Sequence, residues 1–321
     1  MKKKVYKDKW GMEKTSSNTR NNSHQVHPRT QMRRSYLLKH INFSGKGLEV
    51  GPYDYPTIFK TEADISYLDW KTREQLIAEC FSQDEIDSIP ETDYVVASND
   101  YKQYVSDKFD YIIANHVLEH IPNLIQWLSM MAEMLNPDGV LFLALPDKKF
   151  TFDKYRPNTK LSHLLFEYYV GVQTISKEHM LEQAMFYDLE FVNKQMNISE
   201  RLNRKRLEEV IAQDSHIGYH CHIFQSETVL DTVFKPLMMM EYLNLDLIEF
   251  ISARETNYGE MLLIFKKAEP SPKNTTLDIN SFFITDFQLD TGQNFDENLG
   301  NTHSPIKKTS FLEKFIKQFI K

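Results

Sequence analysis

Short apolar runs alternate with amphipathic stretches through the middle of the chain. The runs have the length of buried β-strands and lie at 47–50, 64–68, 94–97, 109–114 and 140–145. The stretches between them repeat apolar residues at helical spacing and lie at about 31–41, 72–81 and 122–135. The acidic segment 82–92 is expected to be a loop. Continuous apolar strands separated by helices are typical of a parallel sheet that is covered on both faces. The pattern therefore predicts a doubly wound, mostly parallel α/β sheet.

The second half of the chain breaks this alternation and then resumes it. Residues 147–220 are rich in aromatic side chains, and we expect them to form a partly helical insertion that covers the strand ends as a lid. A structural buttress is the alternative interpretation. A helix at about 226–242 and two strands at 245–252 and 260–266 follow, and the strand pair predicts an antiparallel hairpin that closes the sheet.

Both ends of the chain differ from this central domain, which we place at 31–267. Residues 1–30 are polar and basic and lack periodicity, so we expect a mobile arm, and 268–304 have the composition of an acidic linker. At 305–321 a Ser-x-x-Glu capping box precedes apolar residues at helical spacing with lysines opposite them, which predicts a basic amphipathic helix. Such a helix either packs on protein or makes peripheral contact with an anionic membrane.

The charge distribution sharpens the choice of partners. The net charge is −7, but 1–34 carry +8 and 305–321 carry +4, which leaves −19 on the residues between them. An acidic body argues against a nucleic-acid substrate. Hydrophobic residues make up 41% of the chain, no apolar run is long enough for a membrane span, and no secretory signal is evident. We therefore expect a cytoplasmic location, at most peripheral at the inner membrane face.

Candidate ligand-binding residues follow the predicted strands, where open α/β sheets bind their ligands. They are Glu49, Gly51 and Pro52 at the first strand, Asp69 at the second, and Asn99 and Asp100 after the third. Asp69 is equally well explained as a helix N-cap, and Asn99 and Asp100 as turn residues. The loop after the first strand has only one glycine of the dinucleotide pattern, which disfavours a nicotinamide oxidoreductase.

The most specific segment is FDYIIANHVLEHIP at 109–122, followed by a helix and by NPDGVLFLALPD. Together with the preceding candidates, in this order and spacing, it resembles the class I S-adenosylmethionine-dependent methyltransferases over about 44–147. The segments EVGPYDYP and LALPDKKFTFD are similar to bacterial methyltransferases of surface-polysaccharide biosynthesis. The resemblance implies methyl transfer to an oxygen, or less favourably a nitrogen, of a sugar or glycan.

The resemblance also implies roles for particular residues. Glu49, Gly51 and the adjoining Pro52 would line the methionine end of S-adenosylmethionine, and Asp69 would bind the ribose hydroxyls. Asn99 and Asp100 would lie by the adenine, and His116 beside the sulfonium. Pro52 and the two residues after it stand where the family has small residues, which keeps a non-catalytic scaffold as an alternative. A methyltransferase acting on another small molecule is a further alternative.

Histidines supply candidate bases for removing a hydroxyl proton. They are His116 and His120 after the fourth strand, and His220 and His222 at the end of the insertion. Glu119 and His120, with His222 from the distant segment, are also candidate ligands of a divalent metal that would polarise a hydroxyl. A few methyltransferases of RNA and quinone precursors resemble this Glu-His pairing. The alternative is that Glu119 and His120 only structure the turn.

Overall fold

The computed structural model describes residues 5–7, 13–15, 26–78, 83–196, 202–213 and 218–269. Its strands are β1 Val5–Lys7, β2 Glu13–Thr15, β3 Gly47–Val50, β4 Ile65–Asp69, β5 Tyr94–Val95, β6 Phe109–Asn115, β7 Leu135–Pro146, β8 Leu245–Ile251 and β9 Glu260–Lys267. Its helices are α1 Pro28–Leu37, α2 Arg73–Ile77, α3 Gln83–Ser88, α4 Leu124–Met134, α5 Leu161–Val170, α6 Lys177–Phe186, α7 Leu189–Met196, α8 Arg204–Ala212, α9 Lys235–Met239 and α10 Ala253–Thr256.

Seven strands form one sheet in the order β5-β4-β3-β6-β7-β9-β8. The first five are parallel to one another, whereas β9 is antiparallel to both β7 and β8. The chain runs outward from β3 in one direction and then returns to place β6 on its other side. This reversal creates the switch point at which open α/β sheets bind ligands. The doubly wound sheet and its closing hairpin are confirmed.

Two apolar layers cover the sheet, as the continuous apolar strands require. One layer packs α4 and the segment leading into α9 against the sheet through fully buried side chains that include Trp127, Leu128 and Phe234. The other packs α1 through Leu37 against Phe142 and its neighbours. Burying a large apolar side chain contributes about 1.5–3 kcal/mol, so these layers fix the strand ends that carry the site.

Local capping explains where the helices beside the site begin. Asn123 precedes α4 and accepts a hydrogen bond from the Gln126 amide, while its side-chain amide donates to the Glu167 carbonyl oxygen on α5. Thr72 and Gln75 form a capping box at α2. The cap of α4 therefore also fastens the insertion to the central domain.

The insertion at 147–220 contains the four helices α5–α8. Leu164 of α5 joins the core layer that holds α4, and Met180 and Ala184 of α6 pack against Val210 of α8. The amide of Asn99, after β5, donates to the Gln173 carbonyl oxygen in the loop between α5 and α6. The insertion thus contacts the strand-end side of the sheet, and its role as a lid remains a prediction.

The structure differs from the expected elements in three places. The acidic segment 82–92 was expected to be a loop but contains α3, and the arm contains the antiparallel pair β1 and β2. The helix expected at 226–242 is shorter: a π-helical turn, Leu230–Phe234, leads into α9. Pro236 has no amide hydrogen to continue a regular ladder there. Most of the predicted linker and all of the tail helix lie outside the described residues.

Candidate active site

The carboxyl ends of the parallel strands bring the predicted residues to one edge of the sheet. In the pairing register, Val50 of β3 lies beside both Leu68 of β4 and Ala114 of β6, and Asp69 lies beside Val95 of β5. The residues that follow these positions therefore meet at the switch point. This edge carries Gly51, Asp69, Asn99, Asp100 and His116.

Glu49 does not face the open edge. Its side chain is fully buried, and its carboxylate accepts hydrogen bonds from the Thr57 amide at 2.8 and 2.9 Å and from Asn115 Nδ2 at 3.3 Å. Asn115 also donates to the Thr57 hydroxyl at 2.8 Å. Burial raises the pKa of Glu49 to about 7, although the Thr57 hydrogen bonds oppose it. In the structure Glu49 holds the 51–58 loop from beneath, and its predicted contact with the cofactor stays a prediction.

The loop above Glu49 replaces the usual small residues with unusual backbone geometry. Gly51 has φ +62°, and a Cβ there would lie 3.3 Å from Val117 Cγ2. Tyr53 has φ +46°, a left-handed conformation that is costly for a bulky residue. Half-buried Pro52 lies between them. The loop therefore approaches the carboxyl end of β6 closely. One glycine, Gly51, together with the buried Glu49 carboxylate that anchors the loop, replaces the several glycines of the usual pattern.

Asp69 and Asn99 both fit the ribose and adenine end of a nucleoside. The Asp69 carboxylate accepts from the Lys71 amide at 3.2 Å, and Thr72, not Asp69, caps α2. The Asn99 Oδ1 atom is buried and has no hydrogen-bond partner among the residues that the structure describes. Asp100 accepts from Gln103 at 3.0 Å. An orphaned buried acceptor matches an adenine amino group, which is a donor.

His116 lies between two carboxylates. Its Nε2 is 2.7 Å from Glu260 Oε2 on β9, and its Nδ1 is 3.4 Å from Glu119 Oε1. Arg33 of α1 holds Glu260 with bonds of 2.8 and 2.6 Å. Burial lowers the pKa of His116, but the contacts with Glu119 and Glu260 outweigh it and raise the pKa overall. Both ring nitrogens face carboxylates of the protein, so this geometry disfavours His116 as the base.

Glu119, His120 and His220 form a compact group, each offering a ligand atom within 4.8 Å of the others. His120 Nδ1 is 2.9 Å from the Tyr219 carbonyl oxygen, and His220 Nδ1 is 2.5 Å from Asp153 Oδ2. These contacts occupy Nδ1 and leave Nε2 to face the group, as second-shell partners of metal ligands do. Both Glu119 carboxylate oxygens are buried; Oε1 has only the 3.4 Å contact with His116, and Oε2 has no hydrogen-bond partner among the described residues. The donor set therefore fits a divalent cation.

The protonation states of His120 and Glu119 also favour the binding of a cation. Burial, together with the neighbouring His220, lowers the pKa of His120 to about 4. Burial raises the pKa of Glu119, but the contact with His116 outweighs it and lowers the pKa overall. Near neutral pH the group therefore presents a neutral imidazole and a carboxylate, which are the forms that bind metal or accept a proton.

One member of the predicted group is corrected: His220, rather than His222, joins Glu119 and His120. The amides of Cys221 and His222 both donate to the Glu119 carbonyl oxygen, at 2.7 and 3.1 Å. The backbone turns at the Glu119 carbonyl oxygen, so the side chains of His220 and His222 lie in different clusters. His222 is buried beside Glu167 and is not brought to the predicted catalytic group.

Sequence reasoning missed the residues that support these histidines. They are Glu260 and Arg33 at His116, and Asp153 and the Tyr219 carbonyl at the compact group. A signal existed only for Asp153, which lies in the quoted segment LALPDKKFTFD. The other partners lie about a hundred residues or more away in the chain, and nothing in the local pattern marks them.

Solved structures with similar folds include an S-adenosylmethionine-dependent methyltransferase from Clostridium acetobutylicum, at 7% identity over 76% of this chain and 92% of that chain, TM-score 0.41. The N-methyltransferase NodS from Bradyrhizobium japonicum, in complex with S-adenosylhomocysteine, matches at 13% identity over 75% and 86%, TM-score 0.36. The mitomycin 7-O-methyltransferase MmcR matches at 10% identity over 75% and 54%, TM-score 0.35. No curated protein sequence matches the chain.

A family model described as a methyltransferase domain matches residues 22–229. This match spans more than half of the chain and includes the switch-point loops and the compact histidine group. The protein belongs to this methyltransferase family. It is an S-adenosylmethionine-dependent enzyme, as the resemblance implied.

Proposed function

We propose that the enzyme methylates a hydroxyl oxygen of a sugar or glycan at the compact group of Glu119, His120 and His220. The observation that carries the proposal is the pair of oriented imidazoles beside the buried Glu119 carboxylate, whose Oε2 has no hydrogen-bond partner in the described part of the chain. A hydroxyl is a weak nucleophile until its proton is removed or its oxygen is polarised. Glu119, His120 and His220 together have the chemistry to remove this proton or to hold a cation that polarises the oxygen.

The cofactor would occupy the neighbouring part of the same edge. Asp69 would accept hydrogen bonds from the ribose, Asn99 Oδ1 would accept from the adenine amino group, and the Gly51 backbone would lie against the methionine part. These are the residues that the strand ends bring together. Methyl transfer is an in-line displacement, so holding the acceptor oxygen about 3–3.5 Å from the methyl carbon supplies much of the catalysis.

A divalent cation is part of the proposal. Glu119, His120 and His220 would hold it, and when bound it would act as a Lewis acid on the acceptor hydroxyl. The Asp153 carboxylate and the Tyr219 carbonyl keep the two imidazoles turned toward the group. His116, held between Glu119 and Glu260, would position Glu119 rather than accept the proton.

The glycan acceptor rests on two supports. The segments EVGPYDYP and LALPDKKFTFD resemble methyltransferases of surface-polysaccharide biosynthesis. Phe150 and Tyr155, which follow the carboxyl end of β7, are exposed aromatic side chains against which a sugar ring can stack, and Lys154 Nζ lies over the Tyr155 ring, 4.7 Å from its centre. A nitrogen acceptor or another small hydroxylated molecule is the alternative that an acceptor panel distinguishes.

Chelation tests the cation directly. The full-length protein is assayed with radiolabelled S-adenosylmethionine and a panel of mono- and oligosaccharides, before and after EDTA treatment. We expect methylation of a sugar that is lost with EDTA and restored by Mg²⁺, Mn²⁺ or Zn²⁺. Unchanged turnover after chelation would contradict the cation and leave His120 as a general base. Methylation confined to amines would contradict the acceptor.

The tail at 305–321 supports an extension of the proposal to a cytoplasmic enzyme held peripherally at an anionic membrane. Its apolar residues and lysines recur on opposite sides at helical spacing. No helix in the described ranges is long and apolar enough to cross a bilayer. Co-sedimentation with anionic liposomes should be stronger for the full chain than for a chain ending at residue 304, and equal binding would reject the contact.

A further inference from the structure

A second histidine cluster lies in the insertion, outside the proposed active site. His163 and Glu167 stand one turn apart on α5, His179 lies in the first turn of α6, and His222 comes from the segment after α8. Glu167, His179 and His222 are buried, and His163 is half-buried. Three imidazoles and a carboxylate from three separate parts of the chain thus converge on one point.

The separations match the edges of a tetrahedron around one ion. His163 Nε2 and His179 Nε2 are 2.9 Å apart, and each lies 3.4 Å from Glu167 Oε1. His222 Nε2 lies 3.6 Å from Glu167 Oε2. Tetrahedral zinc with bonds of about 2.0–2.1 Å separates its ligand atoms by about 3.3 Å. One ligand atom from each of the four residues lies within 4.8 Å of the other three, so side-chain rotation would bring the four groups onto one zinc ion.

The polar contacts of the cluster are incomplete without an ion. Glu167 Oε2 and His222 Nδ1 are buried and lack hydrogen-bond partners among the residues described. When both imidazoles are neutral, the facing Nε2 atoms of His163 and His179 can share only one proton. A nitrogen lone pair cannot donate to the neighbouring Glu167 carboxylate, which is itself only an acceptor. A cation at the centre would satisfy the inward lone pairs and compensate the buried Glu167 charge.

Neighbouring groups hold the ligands in place. Ser176 Oγ lies 3.1 Å from His179 Nδ1, which turns Nε2 toward the cluster. The Glu167 carbonyl oxygen accepts from Asn123 Nδ2, so α5 is fixed against the cap of α4. His222 Nε2 donates to the Pro122 carbonyl oxygen at 3.3 Å, so the unpartnered Nδ1 is the nitrogen of His222 that keeps a lone pair.

We propose that His163, Glu167, His179 and His222 bind a structural zinc ion. Three imidazoles favour zinc over magnesium or calcium, which prefer oxygen ligands. Four protein ligands leave no position for a substrate, so the site is closed and structural. The ion would fasten α5 and α6 to the segment that also carries His220, and would thereby hold the insertion beside the active site.

Metal analysis of matched variants tests the proposal. The full-length protein, its His179→Asn variant and its His120→Asn variant are loaded with Zn²⁺, desalted and analysed for zinc by mass spectrometry. We expect His179→Asn to lose about one equivalent that His120→Asn keeps, because His120 belongs to the other cluster. Retention of all zinc by His179→Asn, or no retained zinc in the wild type, would overturn the proposal.

Cobalt substitution supplies a readout that does not depend on stability. Tetrahedral Co²⁺ absorbs much more strongly in the visible region than octahedral Co²⁺. The His120→Asn variant, in which the catalytic group is disrupted, should show this absorption. The double variant His120→Asn/His163→Asn, which also changes the least buried ligand, should lose it while keeping its circular dichroism spectrum. A tetrahedral cobalt spectrum that survives in the double variant would also overturn the proposal.

Discussion

Two halves of the strand-end edge are built from different chemistry. The cofactor half comprises the 51–58 loop, Asp69 and Asn99, and it is held by backbone amides, one buried carboxylate and a side-chain amide. The histidine half comprises 116–120 and 218–222 with their partners, and it is held by imidazole–carboxylate contacts across the fold. The first half suits a nucleoside of fixed shape, and the second suits proton transfer and metal binding.

The difference lies in how far apart the partners are in the chain. Glu49 and Thr57 are eight residues apart and act on the loop that they enclose. His120 and Tyr219 are 99 residues apart, and Arg33 and Glu260 are 227 apart. The cofactor half is therefore largely a property of strand order and local loops, whereas the histidine half exists only when the insertion and the hairpin are docked.

The largest expected difference between mutations in the two halves is their effect on kcat. His120→Asn removes the neutral imidazole next to Glu119, and kcat should fall by about 10²- to 10⁴-fold, the range for loss of acid–base or polarising groups. His40→Asn is a suitable control, because His40 pairs with Glu249 outside the site. Initial-rate kinetics measure the change. Equal kcat values for the two variants would show that the histidine half is not catalytic.

The second effect concerns stability in acid. Burial raises the pKa of Glu260, but His116 and Arg33 outweigh it and lower the pKa to about 2, from an unfolded value of 4.5. A lowered pKa stabilises the fold above the unfolded value, and this stabilisation is lost as pH falls from about 4.5 toward 2. The loss should be about 3 kcal/mol. Glu260→Gln should be destabilised at neutral pH and should lack this part of the acid dependence.

Urea unfolding at a series of pH values measures this dependence as the free energy of unfolding. Glu62→Gln is the matched control, because Glu62 accepts two bonds from Arg34 on the same helix but is partly exposed. It should keep the wild-type acid dependence. An acid dependence that is the same in Glu260→Gln and the wild type would show that the carboxylate between Arg33 and His116 is not the source.

The fold could be predicted because its central strands are continuous apolar runs, which can be recognised without knowing their partners in the sheet. VLFLAL at 140–145 and YIIA at 111–114 are buried on both faces, and both belong to central strands. The acidic segment 82–92 was misjudged because α3 has only 6 residues and a single apolar one, Ile86, so it carries no apolar stripe. Its composition resembles that of a loop.

The sequence predicted the site less completely. The positions of Gly51, Asp69 and Asn99 follow from strand order, but the inward turn of Glu49 depends on Thr57 and Asn115 and has no pattern of its own. His116, Glu119 and His120 have the i, i+3, i+4 spacing of residues on one helical face. His116 instead has φ +55° before a 3₁₀ turn, and this geometry directs its Nε2 to Glu260. Tertiary partners, not spacing, decided these roles.

Calorimetric titration with S-adenosylhomocysteine tests the division between the halves most directly. Asp69→Ala removes a charged hydrogen-bond acceptor from the cofactor half, so affinity should fall by about 10- to 100-fold. His120→Asn changes only the histidine half and should bind as tightly as the wild type. Wild-type affinity in Asp69→Ala, or an equal loss in both variants, would contradict the placement of the cofactor at the ends of β3, β4 and β5.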